Sequence, residues 1–538
     1  MRGTTAGSEP TSEAGEAGVG VPALAASREI ELKLRLAPGQ ADRLLQHRLV
    51  KAVNGARPPL KRLVSTYFDT SDGRLLKQRV VLRVRRDGRR RIQAVKSELG
   101  LDESILARRE VEAVVKGDQP DLALITDPAL KPLFDDRRVR GCLKPLFVTD
   151  IRRRLIPLKL RGTIVELALD VGRIRSGRGE EVVCEAEIEL KSGSIDGLYR
   201  LARELHKTIP FTIETRTKAE RGYQLALDTP PRATRATGLK LPLRATVGEA
   251  LVQIGRNCLR QIRANQTVLV VSGRSQPGGV HQLRVAIRRI RSALAAFKAV
   301  IPEPEWRRLA HEFRWIAQQC GPAREWDVFA ADILKPLQAQ LGDEPALVEL
   351  ARLAAAAREA AYDRVEAMLA DPRFTDYLLE IEAWWESDGT ARPTMGRRLD
   401  PVRDFAKDAL RHLHRRLIKQ GRQIDSLSLP ELHELRIRAK KLRYNAEFFR
   451  SLFPAEAVQD YLSALERIQD RLGSLNDAAV ARNLLGGLHA EAGTAEERAA
   501  IDRANAMVAG WNAARIESDR ARLPEAWERF SRVKPFWR

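Results

Sequence analysis

The 538-residue chain has only four cysteines, Cys142, Cys184, Cys258 and Cys320, and no C-x-x-C pair. That scarcity and spacing exclude a cysteine zinc site and a disulfide framework, and fit a reducing cytoplasm. Its eight histidines show no H-x-x-x-H spacing. Aromatics make up only 5% of the residues. No run of about 18 apolar residues occurs, so no helix is expected to span a membrane. Residues 1–27 are rich in Gly, Ala, Ser, Thr and Glu, and Val19–Ala26 is a short apolar run broken by Pro22. Glu9, Glu13 and Glu16 stand where a signal peptide carries basic residues, so a disordered leader is expected.

What the chain does have is positive charge: a net +22, with 44% hydrophobic residues. The length calls for at least two domains, and the apolar content suffices for globular cores. The charge points to a polyanionic partner: nucleic acid, an anionic surface or a chain of phosphates.

From residue 28 to about 227 short runs alternate charged and aliphatic residues, beginning with Glu29-Ile30-Glu31-Leu32-Lys33-Leu34-Arg35-Leu36. Side chains alternate across a strand, so one face is ionised and the other aliphatic. Val80–Arg85, Ile92–Lys96, Arg109–Val114, Val148–Leu155, Val165–Asp170 and Cys184–Leu190 repeat the pattern. Alone, the first strand reads equally as a solvated outer strand or as a wall that holds cations and phosphates. Six such strands with almost no Ser, Thr, Asn or Gln on the charged faces favour a charged interior, with the aliphatic faces packed outward on helices.

The motifs Glu29-x-Glu31-x-Lys33, Tyr67-Phe68-Asp69-Thr70, Leu82-Arg83-Val84-Arg85, Glu185-x-Glu187-x-Glu189 and Lys218-Ala219-Glu220-Arg221-Gly222-Tyr223 stand in order here. Together they resemble the CYTH family, the triphosphate tunnel metalloenzymes. The resemblance implies an eight-stranded antiparallel tunnel with flanking helices, hydrolysing or cyclising triphosphates with Mg²⁺ or Mn²⁺. It implies catalytic roles for Glu29, Glu31, Lys33, Glu110 and Glu112. It implies phosphate binding by Lys33, Arg83, Arg85, Lys96, Arg153 and Lys218, and metal binding by Glu31, Asp170, Glu185, Glu187 and Glu189. Two departures stand out. Ala94 replaces a frequent hydroxyl residue, and the triplet Arg152-Arg153-Arg154 leaves the inward arginine open, with strand parity favouring Arg153.

After a linker over 228–245 the periodicity becomes helical, and the segment 246–538 repeats itself, about 246–396 and 398–538. His281-Gln-Leu-Arg284-x-x-x-Arg288-Arg289-x-Arg291 matches His433-Glu-Leu-Arg436-x-x-x-Lys440-Lys441-x-Arg443 at an offset of 152. Gly321 and Gly473 share that offset, within Cys320–Asp327 and Leu472–Asp477. In each copy an apolar stripe (Leu283, Ile287, Ile290, Leu294, Phe297; Leu435, Ala439, Leu442, Ala446, Phe449) marks a buried helix face. A basic stripe lies at its margin, and Val280–Ala296 holds no acid to balance it. Like charges at that spacing are mildly destabilising, which calls for a bound polyanion. His281 and His433 read equally as ligands of that anion or as core hydrogen-bonding residues.

This half resembles the CHAD family of paired helical bundles, and the resemblance implies binding of inorganic polyphosphate. The residues concerned would be Arg260, Arg263, His281, Arg284, Arg288 and Arg291, then Arg415, His433, Arg436, Lys440, Lys441 and Arg443. Arg256, Arg411 and Arg416 are further matches on the preceding helices. The basic helices lack interleaved aromatics for base stacking, which argues against nucleic acid. The fold expected is therefore α+β, a β-tunnel followed by a duplicated all-α domain. The function expected is metal-dependent hydrolysis of inorganic triphosphate or short polyphosphate in the cytoplasm, with association to polyphosphate granules. A non-catalytic polyphosphate scaffold, a thiamine triphosphatase and an adenylate cyclase are the alternatives.

Overall fold

The computed structural model describes residues 30–51, 58–97, 109–160, 162–391 and 396–538. The expected leader and Glu29 lie outside these residues. Among the described residues nine strands form one sheet: β1 (Glu31–Leu36), β2 (Leu60–Asp69), β3 (Val80–Asp87), β4 (Arg90–Ser97), β5 (Arg109–Val114), β6 (Lys144–Leu160), β7 (Thr163–Ser176), β8 (Gly179–Gly193) and β9 (Phe211–Ile213). Their order is β5-β4-β3-β2-β6-β7-β8-β1-β9, with every neighbouring pair antiparallel.

The sheet fits the expected tunnel fold, with nine strands among the described residues where eight were expected. The ninth strand, β9, is three residues long and pairs with Leu34–Leu36 of β1. Among the described residues the ladder ends at β5 and β9 rather than joining them. So short a strand covers the β1 edge without extending the sheet far enough to close it.

Among the described residues seven α-helices flank the sheet: α1 (Gln40–Gln46), α2 (Arg48–Lys51), α3 (Arg74–Lys77), α4 (Lys131–Asp135), α5 (Arg137–Arg140), α6 (Ile195–His206) and α7 (Lys218–Leu227). The alternation foreseen in β1 holds, since Leu32, Leu34 and Leu36 are buried beside Leu167, Leu169, Ala186 and Ile188. Leu198, Leu201 and Leu205 of α6 seal that aliphatic face.

The rest is helical: α8 (Val247–Ser272), α9 (Pro277–Ala296), α10 (Glu303–Gln319), α11 (Gly321–Val328), α12 (Lys335–Leu341), α13 (Pro345–Ala370) and α14 (Pro372–Ala391) in the first copy. The second copy has α15 (Val402–Gly421), α16 (Leu429–Phe449), α17 (Ala455–Glu491) and α18 (Ala495–Arg532). Both apolar stripes of the repeat are buried, on α9 and on α16. Capping boxes start three functionally placed helices: Thr217/Glu220 on α7, Thr246/Glu249 on α8 and Ser428/Glu431 on α16.

The two halves share one apolar core that runs from β1 and α6 through α8 and α14. At their junction Arg203 of α6 makes two bonds to Asp376 of α14 at 2.9 and 3.0 Å. Tyr199 donates to the buried carboxylate of Glu382, 3.3 Å away. The linker is bolted down rather than loose. Asn265 of α8 bonds both the N–H and the C=O of Thr234, and Asn257 donates to the C=O and hydroxyl of Thr237.

Candidate functional site

Register decides which charges meet. Arg83 lies opposite Ala94, Lys96 opposite Glu110, and Ala94 opposite Glu112. Farther along the sheet Arg153 faces Asp170, Asp170 faces Glu185, and Lys33 faces Glu187. Strand parity places all of these on the face opposite the aliphatic core. Parity also settles the triplet: Arg153 is on that face, while Arg154 reaches the C=O of Pro58.

Asp170 of β7 and Glu185 and Glu187 of β8 form the centre of this face, with ligand oxygens all within 4.8 Å of one another. Asp170 and Glu185 are fully buried. Clustered carboxylates in a dry site need cations. Arg153 supplies two bonds to Asp170, at 2.6 and 2.5 Å, and one to Glu187 at 2.9 Å. Lys218, the first residue of α7, reaches Asp170 at 2.7 Å, Glu187 at 3.1 Å and Glu185. Arg221, one turn on, bonds Glu185 at 2.7 Å and Glu181 at 2.9 Å.

The electrostatics follow from these contacts. Burial works to raise the Asp170 carboxyl, but Arg153 and Lys218 outweigh it and hold the group below the usual carboxylate range. Burial works to lower Lys218, and Glu185, Asp170 and Glu187 overcome it and raise the ammonium. Three hard oxygen donors at this separation could hold a divalent metal ion. Glu31 and Glu189, opposite each other in register, stand outside this trio: Glu31 pairs with Lys33 at 2.9 Å and Glu189 with Lys191 at 2.7 Å.

A second wall forms on β3, β4 and β5. Arg83 lies 3.4 Å from Glu110 and 3.9 Å from Glu112, and Lys96 lies 2.9 Å from Glu110. Burial would raise Glu110, yet Lys96 and Arg83 hold it low. Arg85, donating to Ser65 at 3.3 Å, connects the walls. Its guanidinium is lowered by burial and by the nearby Arg83 and Arg153.

One end of the same face is apolar, which sequence reading did not foresee. Tyr67, Phe147, Ile151, Ile174 and Val183 share the parity of the charged residues and pack against Tyr223 of α7. Tyr67 stacks on Phe147 at 4.5 Å, and Tyr223 meets Phe147 edge-on at 5.1 Å. A Cβ at Gly222 would fall 2.0 Å from the Phe147 ring, so only glycine lets α7 sit this close.

In the helical half α9 and α16 pack together and bring the two basic stripes into one groove. His281 is pushed down to about 4 by burial and by Arg324, Arg288, Lys440 and Arg235. Lys440 is pushed down to about 7 by burial, Arg436 and Arg288, against the weaker pull of Asp477. Arg284 donates to the C=O of Ala317 at 3.0 Å, and Gly321 leaves it room, since a Cβ there would sit 3.1 Å from its Nη1. The Nε atoms of Arg284 and Arg436, equivalent residues of the two copies, are buried with no hydrogen-bond partner among the described residues. His433 contacts Asn476 at 2.5 Å, and Arg436 lies 4.0 Å from Asp477.

Several other basic candidates are paired with acids of their own, and the rest lie outside this groove's centre. Arg263 pairs with Glu382 at 3.3 Å beneath Tyr199, and Arg256 pairs with Glu386. Arg443 is held by Glu447 at 2.8 Å and Glu466 at 3.6 Å. Arg260 and Arg415 are exposed, and Arg411 pairs with Asp408 on its own helix. Arg291 and Lys441 are each lowered chiefly by burial, then by neighbouring cations.

A CYTH domain profile matches residues 27–223, and a CHAD domain profile matches residues 253–486. The chain carries a CYTH domain followed by a CHAD domain. Over 204 residues it is 29% identical to an inorganic triphosphatase of Haemophilus influenzae, covering 37% of this chain and 55% of that protein. The chain thus spans about half the length of the curated relative it matches. It is similar to the CHAD domain of the plant Ricinus communis at 30% identity, covering 56% of this chain and 97% of that one, with a TM-score of 0.49. It is also similar to PptA of Streptomyces chartreusis at 15% identity, covering 53% of this chain and all of that one, with a TM-score of 0.41.

Several site residues escaped the sequence reading. In the CYTH domain these are Arg221 and Glu181; Arg221 stands in the quoted Lys218–Tyr223 motif, one helical turn from Lys218. In the CHAD groove they are Arg324, Asn476 and Asp477, at repeat-equivalent or neighbouring positions of the quoted second motif, and the linker residue Arg235. Among the described residues no helix is long and apolar enough to cross a membrane.

Proposed function

We propose that the CYTH domain hydrolyses inorganic triphosphate or short polyphosphate with Mg²⁺ or Mn²⁺, and that the CHAD domain binds polyphosphate. The observation that carries this reading is the joining, on one sheet face, of a three-carboxylate cluster to a row of arginines and lysines. The printed name of the Haemophilus influenzae relative supports it. The unpartnered Nε atoms of Arg284 and Arg436 support an anion in the groove.

Asp170, Glu185 and Glu187 would hold the metal ion, which would free Lys218 and Arg153, now paired with these carboxylates, to meet the phosphates. The ion, once bound, supplies neutralisation of charge that develops on the phosphate oxygens. Lys33, Arg83, Arg85 and Lys96 orient the chain in line. Glu110 and Glu112, at the exposed margin of the face, hold the attacking water. No protein nucleophile is needed, because phosphoryl transfer of this kind depends on positioning and electrostatics. We place the protein in the cytoplasm, on polyphosphate granules.

The experiment is phosphate release by the full chain from triphosphate, ATP and thiamine triphosphate side by side, each with Mg²⁺ or Mn²⁺. Turnover of triphosphate that disappears in Asp170→Asn and Glu187→Gln supports the reading. A folded wild-type chain that turns over none of the three refutes it and leaves a binding scaffold. That second reading draws on the saturation of Asp170, Glu185 and Glu187 by Arg153 and Lys218.

A further inference from the structure

The two copies of the CHAD repeat differ in what lies between their first two long helices. In the first copy Arg289 is buried, with its guanidinium bonded to Gln261 and Asn257 of α8, both at 3.0 Å. Gln261 also bonds Gln282 at 3.1 Å, and Asn257 carries the linker at Thr237. This position is a closed amide network covered by the interdomain linker.

The offset of 152 takes Gln282 to Glu434 and Arg289 to Lys441. Gln261 and Arg416 each lie fourteen residues past the first residue of their helix, α8 and α15. The second copy therefore replaces the amide network with Arg416, Glu434 and Lys441. Arg438 joins them at the position of Ala286. These four residues, with Leu413 and Ile437, line an open cavity of about 210 Å³. No segment of the described chain plays the linker's part over it.

The charges in this hollow are nearly uncompensated. Lys441 feels Arg416, Arg291 and Arg438 as its charged neighbours, all of one sign. The one lining acid, Glu434, lies 3.5 Å from Arg438 on its own helix. Arg291 is the last member of the α9 stripe that begins with His281, Arg284 and Arg288, and its charge acts on Lys441 across the packed α9 and α16. The central groove and the hollow are thus joined by a basic path over α9.

We propose that the hollow between α15 and α16 is a second anion site, which takes the part of a long phosphate chain that leaves the central groove past Arg291. The inference rests on the polyphosphate reading of the CHAD groove. Three cations around a small cavity, Arg416, Arg438 and Lys441, suit tetrahedral oxyanions spaced along a chain, and each contact adds a salt-sensitive increment of affinity. Short chains fill the groove alone, whereas long ones engage both sites, so the hollow makes the CHAD domain selective for length.

The test is titration of the full chain with tripolyphosphate and with long-chain polyphosphate, in wild type, in Arg416→Gln/Lys441→Gln and in the groove variant Arg288→Gln/Lys440→Gln. The hollow variant is expected to lose about tenfold in affinity for long chains, with a shallower salt dependence, while tripolyphosphate binding and the thermal midpoint stay unchanged. Arg416→Lys/Lys441→Arg is expected to retain long-chain binding. Equal losses for both ligands, or no loss, would overturn the proposal. So would a hollow variant that loses a poly-glutamate peptide but keeps long polyphosphate, which would assign the site to an acidic protein segment. If the groove variant also binds both phosphates normally, it is the groove reading itself that fails.

Discussion

Arg153 and Asp170 face each other directly across β6 and β7 and are joined by two hydrogen bonds of 2.6 and 2.5 Å, with Asp170 wholly shielded from water. Breaking a buried pair from one side leaves a charge without its partner. Arg153→Ala should cost about 3–5 kcal/mol of folding stability, and Arg153→Ala/Asp170→Ala should cost less than the two single changes summed. Denaturant unfolding of the four chains checks this cycle.

Chelation gives a second expectation, tied to the proposed hydrolysis. EDTA should abolish phosphate release, and Mg²⁺ or Mn²⁺ should restore it. Because Lys218 is held by the three carboxylates, metal binding has to compete with it. Lys218→Met should therefore tighten Mn²⁺ binding, read by calorimetry without substrate, while lowering turnover of triphosphate.

Lys440 sets a pH expectation. Its ammonium titrates near 7 rather than at its ordinary 10.5, so between those values the folded chain lacks a proton that the unfolded chain holds. Folding stability attributable to this group accordingly rises with pH across that window and is lowest below pH 7, where the charge is forced into the groove. Anion binding has the opposite sense: a phosphate chain favours the charged amine, so affinity should fall as pH rises through 7, with proton uptake on binding. Lys440→Arg keeps its charge and should flatten the profile, measured by calorimetry in buffers of differing ionisation heat.

Gly222 makes a packing expectation. An alanine there would drive its Cβ into the Phe147 ring and push α7 off the sheet. Overpacking of this kind costs about 1–3 kcal/mol. It would also displace Lys218 and Arg221 from Glu185, so Gly222→Ala should lose triphosphate turnover at temperatures where circular dichroism still shows a folded chain.

The continuous core predicts how the chain melts. Apolar residues of α6, α8 and α14 belong to one cluster, fastened by Arg203–Asp376 and Tyr199–Glu382. The CYTH and CHAD domains should therefore unfold in a single calorimetric transition, and Arg203→Ala/Tyr199→Phe should split it into two.

Much of this was legible in the chain itself, because period-two and period-3.6 patterns report burial directly. The alternation Leu32-x-Leu34-x-Leu36 and the stripe Leu283-Ile287-Ile290-Leu294-Phe297 are buried as their spacing implies. Parity also singled out Arg153 within its triplet. Register and partnership were not legible. Nothing local in Glu31 or Glu189 says that each takes a lysine partner beside the Asp170 cluster. Nor does Arg263 differ from Arg284 until α14 brings Glu382 to it. The open sheet, with β9 as a three-residue edge, depends on tertiary placement that a short apolar run does not encode.

The aromatic block of Tyr67, Phe147 and Tyr223 makes the charged face of the CYTH domain a dead end on one side. A linear polymer laid along this face meets the rings at that end, which favours docking by a free terminus. Under the proposed hydrolysis, cleavage there would trim from chain ends and spare internal bonds, and the spent fragment would leave on the side by which it entered. Cyclic polyphosphates, having no terminus, should resist this protein however tightly they bind it.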